Sequence, residues 1–137
     1  MAKVLGIDYG TKRTGIAITD DMQLIASGLT TVTTHRLSDF IEDIVQKEKI
    51  ECFVVGEAMN LDGSATEITG HINGFVKRLN KKYTLIPVYM IDERFTSKIA
   101  KRSIIKSGVK KKIRQNKALV DEVSATIILQ SFLNNRS

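Results

Sequence analysis

Three acidic residues, far apart in the chain, stand where carboxylates could carry chemistry. Asp8 ends an apolar run with the pattern of a strand, Glu93 follows a second such run, and Asp121 lies in a segment with helical spacing. An acid beside the core is costly unless it is paired or binds a metal. Each acid also has an ordinary interpretation: a turn residue, a salt-bridged or helix-start acid, and a surface acid on a helix, respectively.

Carboxylates that converge from three elements would suit the hydrolysis of a phosphodiester. That reaction needs a deprotonated water, in-line geometry and neutralisation of the leaving oxygen, and two divalent ions about 3.5–4 Å apart supply all three. Mg²⁺ and Mn²⁺ prefer carboxylate oxygens, so histidine is dispensable. His35 and His71, the two histidines of the chain, lie outside any recognisable motif. If Asp8, Glu93 and Asp121 converge, they would suit a nuclease that uses Mg²⁺ or Mn²⁺, but the spacing alone leaves the ordinary interpretation of each acid open.

Positive charge is concentrated in one part of the chain. Ten basic residues and no acid lie between Glu93 and Asp121, whereas the rest of the chain holds eleven basic and fifteen acidic residues. A segment of one sign is the pattern expected for a polyanionic partner such as nucleic acid. The alternative is a solvated helix and loop, although solvated faces usually mix both signs.

The spacing of apolar residues predicts alternating strands and helices. Strands are expected at residues 3–8, 14–19, 23–32, 51–56 and 85–91. Helices are expected at residues 35–49, after a capping box formed by Ser64 and Glu67, from Thr96 or Ser97 to Gly108, and from Asn116 to about Asn134. The order β-β-β-α-β-α-β-α-α predicts an α/β fold, with a five-stranded mixed sheet and helices on both of its faces.

The last predicted helix has small residues next to its acid. Ser124 and Ala125 share a stripe with Asp121 and Ile128 at helical spacing. Small side chains would let this helix lie close to the sheet, and that approach would bring Asp121 toward Asp8.

Length and composition bound the class of protein. A chain of 137 residues, with 42% apolar and 26% charged residues, predicts one globular domain over residues 1–137. No apolar run approaches the ~20 residues that span a bilayer, and we expect a cytoplasmic protein without a membrane partner. Cys52, the single cysteine, is interpreted as a buried small hydrophobe. No small-molecule cofactor is expected. The sequence leaves open whether the protein is a monomer or a homodimer.

Four blocks of sequence carry a family resemblance. They are Gly6-Ile7-Asp8-Tyr9-Gly10-Thr11-Lys12-Arg13-Thr14-Gly15, then Val54-Val55-Gly56 with Asn60-Leu61-Asp62-Gly63-Ser64, then Asp92-Glu93-Arg94-Phe95-Thr96-Ser97, and finally Asp121 to Leu129. In this order and at these separations they resemble the YqgF family, also called RuvX. The resemblance implies an RNase H-like fold related to the Holliday junction resolvases. It also implies a nuclease that trims the 5′ end of the 16S rRNA precursor in bacteria.

The resemblance extends to individual residues. By motif position it puts the family's acidic site at Asp8, Glu93 and Asp121. The basic residues expected to contact nucleic acid are Lys12, Arg13, Arg94, Lys98, Lys110, Lys111, Lys112 and Arg114. The chain departs from the family after Val-Val-Gly, where Glu57 and Ala58 replace an apolar residue and a proline. Glu57 is therefore either a further carboxylate of the site or a solvent-facing loop acid.

Other functions would also account for parts of this sequence pattern. A four-way DNA junction is the alternative substrate to precursor rRNA, and its two-fold symmetry would favour a dimeric enzyme. A sugar-kinase or actin-like ATPase would use the turn after Asp8 to bind phosphate, but those enzymes need two domains of this kind. A nucleic-acid-binding module without catalysis would need the basic stretch alone, and it gives no reason for three separated acids.

Overall fold

The computed structural model describes residues 2–57, 66–92 and 117–135, which contain five strands and three α-helices. The strands are β1 (Lys3–Asp8), β2 (Arg13–Thr19), β3 (Ala26–Thr33), β4 (Ile50–Glu57) and β5 (Val88–Asp92). The helices are α1 (Leu37–Lys47), which follows the 3₁₀ turn Thr34–Arg36, then α2 (Thr69–Lys82) and α3 (Lys117–Asn135). The expected capping box of Ser64 and Glu67 is wrong, because α2 begins only at Thr69 and Glu67 lies in the turn before it. The expected helix at 96–108 and the basic loop at 110–115 lie outside the described residues.

The five strands form one mixed sheet. Their order is β3-β2-β1-β4-β5. Strands β1, β2 and β3 are antiparallel neighbours, as expected for a meander, whereas β4 pairs parallel with both β1 and β5. Parallel neighbours need a crossover, and between β4 and β5 the chain passes through α2. The predicted five-stranded mixed sheet is confirmed.

Large apolar side chains fill one face of the sheet. The strands contribute Leu5, Ile7, Ile16, Phe53 and Val55, and the two helices on this face contribute Leu37, Ile41, Ile72, Phe75 and Leu79. Residues two apart on a strand point to the same face, which explains why Leu5 and Ile7 belong together here. The face covered by α1 and α2 therefore holds the larger of the two apolar clusters.

Helix α3 covers the opposite face. Val4, Ala17, Cys52 and Val54 of the sheet pack there against Ala125, Ile128 and Leu129 of the helix. Cys52 is buried, as its sequence context predicted. Helices thus lie on both faces of the sheet.

The turn between β2 and β3 delays the start of β3 to Ala26, three residues later than predicted. The carboxylate of Asp20 accepts hydrogen bonds from the backbone N–H groups of Ile25, Leu24 and Met22. These bonds, that from Ile25 foremost, stabilise the charged form and lower the pKa of Asp20. They hold the backbone in a closed turn, so residues 23–25 do not join the ladder.

Strand β5 also starts later than predicted, at Val88 rather than Leu85. Residues 84–86 form a turn after α2, closed by a hydrogen bond from the Ile86 N–H to the Tyr83 carbonyl. Leu85 is 94% exposed, so its apolar side chain was a poor guide to a buried strand. Pro87 joins the sheet only through its carbonyl, which accepts the Phe53 N–H at 2.9 Å.

Among the helices described, none combines the length and the hydropathy that crossing a bilayer requires. The expectation of one domain over residues 1–137 stays a prediction.

Candidate active site

Three parallel strands end at one edge of the sheet, and each ends on an acid. Asp8 is the last residue of β1, Glu57 of β4 and Asp92 of β5. Glu57 and Asp92 are paired in register, and Ile7 pairs with Val55 two positions before Glu57. Ligand sites of open α/β sheets form beside such carboxyl ends. This edge is therefore where the sheet presents negative charge.

The side chain of Asp8 lies on the face that α3 covers. Gly6, two residues earlier on β1, faces α3 so closely that a Cβ there would stand 2.8 Å from the Cβ of Leu129. Since residues two apart share a face, Asp8 points to the same side. Asp8 is half-buried there.

Among Gly6, Gly15 and Gly28 of the sheet, Gly15 lies closest to helix α3. A Cβ at Gly15 would overlap the backbone carbonyl oxygen of Asp121. Gly15 is also the residue directly opposite Asp8 in the antiparallel pair of β1 and β2, and opposite residues share a face. The backbone of Asp121 consequently rests on the immediate neighbour of Asp8, as the small residues of this helix predicted.

A row of glycines on the sheet makes this approach possible. Gly6, Gly15 and Gly28 lie on β1, β2 and β3, and a Cβ at any of them would stand within 3.0 Å of α3. Sequence reasoning assigned the small residues of the helix a role but missed the glycines of the strands. The signal was present, because Gly6 shares one face of β1 with Val4 and Asp8, and the same motif continues to Gly15.

The carboxylate of Asp121 is held by a cation from the chain itself. The Arg13 Nε donates to Asp121 Oδ2 at 2.9 Å, across 108 residues of sequence. Arg13 was predicted to contact nucleic acid, and nothing in its local sequence indicated this ion pair. The pair fixes the start of β2 to the first half of α3.

The loop between β1 and β2 is built to hold Asp8 and Arg13 in place. Thr34 donates its hydroxyl to the Gly10 carbonyl at 2.6 Å and its N–H to the Lys12 carbonyl at 3.0 Å. A Cβ at Gly10 would overlap the Arg13 carbonyl oxygen, so this turn requires glycine. The Tyr9 ring stacks on Phe75 of α2, with centroids 4.9 Å apart. The loop is thus anchored both by the residue that follows β3 and by α2.

The structure places the backbone of Asp121 against Gly15, the residue opposite Asp8 in the sheet. Glu93 follows β5 directly and lies outside the described residues, as do Arg94, Lys98, Lys110, Lys111, Lys112 and Arg114. Within residues 2–57, 66–92 and 117–135 no cluster of three potential metal ligands occurs. The assignment of Asp8, Glu93 and Asp121 as ligands therefore stays a prediction.

The donor set fits a hard divalent cation. Asp8 and Asp121 offer carboxylate oxygens, the ligands that Mg²⁺ and Mn²⁺ prefer, and Glu93 would add a third carboxylate. The guanidinium of Arg13 against Asp121 is a stand-in cation, which means that this position accepts positive charge. Chemically, such a site can activate water and neutralise phosphate oxygens.

Two solved structures share this fold along nearly the whole chain. T. thermophilus RuvC, in complex with Holliday junction substrate, matches with a TM-score of 0.61 and 16% identity, covering 100% of this chain and 99% of that chain. The Fowlpox virus resolvase, in complex with substrate Holliday junction DNA, matches with a TM-score of 0.57 and 11% identity, covering 96% and 97%. The fold is therefore that of the RNase H-like resolvases, and the predicted fold class is confirmed.

Comparison at the level of sequence is more specific. The sequence profile of the RuvX family, described as Holliday junction resolvase, matches residues 2–135. The chain belongs to the RuvX family. A Flavobacterium johnsoniae protein is 51% identical over 136 residues, 99% of each chain, and a Phocaeicola vulgatus protein is 53% identical over 136 residues, 99% of this chain and 98% of its own. Both carry the name "Putative pre-16S rRNA nuclease". Family and enzyme class, a hydrolase of phosphodiester bonds, were correctly predicted.

Proposed function

We propose that this protein is a divalent-metal-dependent nuclease that processes the 5′ end of the 16S rRNA precursor, with Asp8, Glu93 and Asp121 as its metal ligands. One observation carries the proposal: α3 rests on Gly15, the direct neighbour of Asp8, and so carries Asp121 to the same edge as Asp8. The names of the two relatives support the choice of RNA as substrate.

The chain's own residues have distinct parts in this mechanism. Asp8, Glu93 and Asp121 would hold Mg²⁺ or Mn²⁺, and bound ions of this kind activate water and neutralise the leaving oxygen. Lys12, exposed in the loop after Asp8, supplies charge for backbone phosphates. The basic segment from Arg94 to Lys117 extends that contact along the nucleic acid. Phosphate contacts position the backbone and carry little sequence information.

The position of Asp8 is set by rigid neighbours. β1 lies between β2 and β4 in the middle of the sheet, and Leu5 and Ile7 are fully buried. A ligand at the end of such a strand loses little conformational entropy on binding a metal, because its backbone is already fixed. Preorganisation of this kind is what the proposed chemistry requires.

A four-way DNA junction is the second candidate substrate. The family description and the two solved resolvases favour it. Cutting a two-fold symmetric junction would call for a homodimer with two sites, whereas trimming a precursor needs only a monomer. Processing of ribosomal RNA in bacteria implies a cytoplasmic protein.

The deciding experiment compares wild type with Asp8→Asn on both substrates. Purified protein is incubated with Mg²⁺ or Mn²⁺ and either labelled precursor rRNA or a labelled four-way junction. We expect Asp8→Asn to cleave at least about 100-fold more slowly, because losing a ligand removes several kcal/mol of charge stabilisation. The variant should still bind nucleic acid.

The matched control is Asp43→Asn. Asp43 lies on α1, on the other face of the sheet, and its side chain is 66% exposed beside Lys47. This variant should cleave at the wild-type rate. If Asp8→Asn cleaves at the wild-type rate, the proposed site is refuted. If the wild type binds both substrates and cleaves neither, the protein is a non-catalytic binding module.

A further inference from the structure

We propose that Arg13 is an exchangeable counter-cation, which neutralises Asp121 while no metal is bound and moves to a backbone phosphate when a divalent cation takes Asp121. This inference rests on the proposed function, because it assumes that Asp121 is a metal ligand. It adds a role for Arg13 that links metal binding to nucleic-acid binding.

The geometry of the ion pair leaves part of the guanidinium available. Arg13 contacts Asp121 through Nε alone, and among the described residues its two terminal nitrogens make no hydrogen bond. The Arg13 side chain is 37% exposed and that of Asp121 24% exposed, so the pair lies at the surface of the site. A guanidinium presents several donors in one plane, which suits the oxygens of a phosphate.

Arg13 and a metal ion would compete for the same carboxylate. The Arg13 Nε lies 2.9 Å from Asp121 Oδ2, at hydrogen-bond distance. A divalent ion bound to Asp121 would withdraw electron density from that oxygen and repel the guanidinium beside it. Metal binding must therefore weaken the ion pair, and the ion pair must weaken metal binding by the same factor.

An ordinary structural role makes the opposite prediction. If Arg13 served to orient Asp121 for the metal, removing it would leave the carboxylate less ordered and would weaken metal binding. If Arg13 is an exchangeable counter-cation, removing it frees the carboxylate and tightens metal binding. The sign of the change in metal affinity thus separates the two roles.

The test is calorimetric titration of the protein with Mn²⁺ in the absence of nucleic acid. We expect Arg13→Gln to bind Mn²⁺ about 10-fold more tightly than wild type, within the range of measured coupling between two ligands. Arg13→Lys keeps the charge but not the planar donor set, so it should show a smaller gain. Unchanged or weaker Mn²⁺ binding in Arg13→Gln would overturn the inference. If the glutamine variant fails to fold, the same criterion applies to Arg13→Lys.

Lys12→Gln is the matched control for loss of positive charge. Lys12 neighbours Arg13, is exposed, and its side chain makes no ion pair with a described residue. Its substitution should change Mn²⁺ affinity by less than about twofold, since exposed charges are screened. An equal gain in both variants would mean that net charge alone sets the affinity, and the inference would fail.

A second experiment measures how tightly the protein binds RNA. Binding of labelled RNA is measured by fluorescence anisotropy with Ca²⁺, to limit hydrolysis, and with EDTA. Arg13→Gln should weaken RNA binding more in Ca²⁺ than in EDTA, because Arg13 reaches phosphate only when released from Asp121. An equal loss in both conditions would contradict the exchange.

Failure of this inference differs from failure of the proposed function. If the wild type binds Mn²⁺ and Asp8→Asn does not, the metal site stands whatever Arg13 does. If neither protein binds Mn²⁺, the proposed metal site itself is wrong.

Discussion

The two faces of the sheet are built on different principles. On the face covered by α1 and α2, bulky side chains such as Phe53, Ile72 and Phe75 separate helix from sheet. On the face covered by α3, glycines let helix backbone and strand backbone meet, most closely at Gly15. The first arrangement buries apolar area and supplies stability. The second removes side chains, so the backbone of α3 at Asp121 rests directly on the sheet.

The largest expected loss of stability lies on the α1 and α2 face. Phe53 is fully buried, and its ring lies 5.5 Å from that of Tyr83. Phe53→Ala should lower the free energy of unfolding by about 3–5 kcal/mol, since it removes a large side chain and leaves a cavity. Urea denaturation measures this loss.

Cleavage by the folded fraction of Phe53→Ala should stay near the wild-type rate, because the side chain lies on the face away from Asp121. Phe53→Leu, a milder change, serves where the alanine variant is too unstable to assay. A loss of cleavage in the folded leucine variant would show that the two faces are coupled.

A substitution on the α3 face should cost less stability than Phe53→Ala but more of the cleavage rate. Gly15→Ala forces a methyl group against the Asp121 carbonyl, which is backbone and cannot rotate away. We expect a loss of about 1–3 kcal/mol in unfolding free energy, as for other overpacked sites. Cleavage should fall by more than about tenfold, since a shift of ~1 Å in a catalytic group can cost 100-fold.

Gly28→Ala is the control on the same face. A Cβ there would stand 2.7 Å from Oε1 and 2.8 Å from Cγ of Glu122, so this side chain must change its rotamer, whereas the helix backbone need not move. Cleavage by this variant should stay within a few-fold of wild type. Equal damage from both glycine substitutions would mean that helix position in general, and not contact at Asp121, controls the site.

This contrast also explains what the sequence could predict. The periodic apolar residues of β1, β4, α1 and α2 sufficed to predict the elements and the mixed sheet, because burial against large side chains leaves a periodic pattern. Asp8 was identified because it ends the apolar run of β1, and Asp121 because it lies in a segment with helical spacing. The glycine row leaves no apolar signal, so close approach was predicted from Ser124 and Ala125 alone.

Other features could not be predicted because they depend on tertiary contacts. The ion pair of Arg13 with Asp121 joins residues 108 positions apart, and neither residue's neighbours indicate the partner. The late start of β3 depends on three hydrogen bonds to one side chain, that of Asp20. A turn aspartate was evident from the sequence, but the number of residues that it withdraws from a strand was not.

The smallest expected effect has the opposite sign and concerns a glycine on the other side of the sheet. Gly74 lies within α2, and the nearest atom to a Cβ there is Arg78 Nη1 at 3.5 Å, an ordinary contact. Gly74→Ala should therefore raise the free energy of unfolding by about 0.5–1 kcal/mol, because alanine loses less backbone entropy than glycine on entering a helix. Thermal unfolding should show a melting temperature higher by roughly 2–4 °C, with cleavage unchanged. A lower melting temperature would mean that α2 also needs its glycine for packing, and the distinction between the two faces would then not extend to their helices.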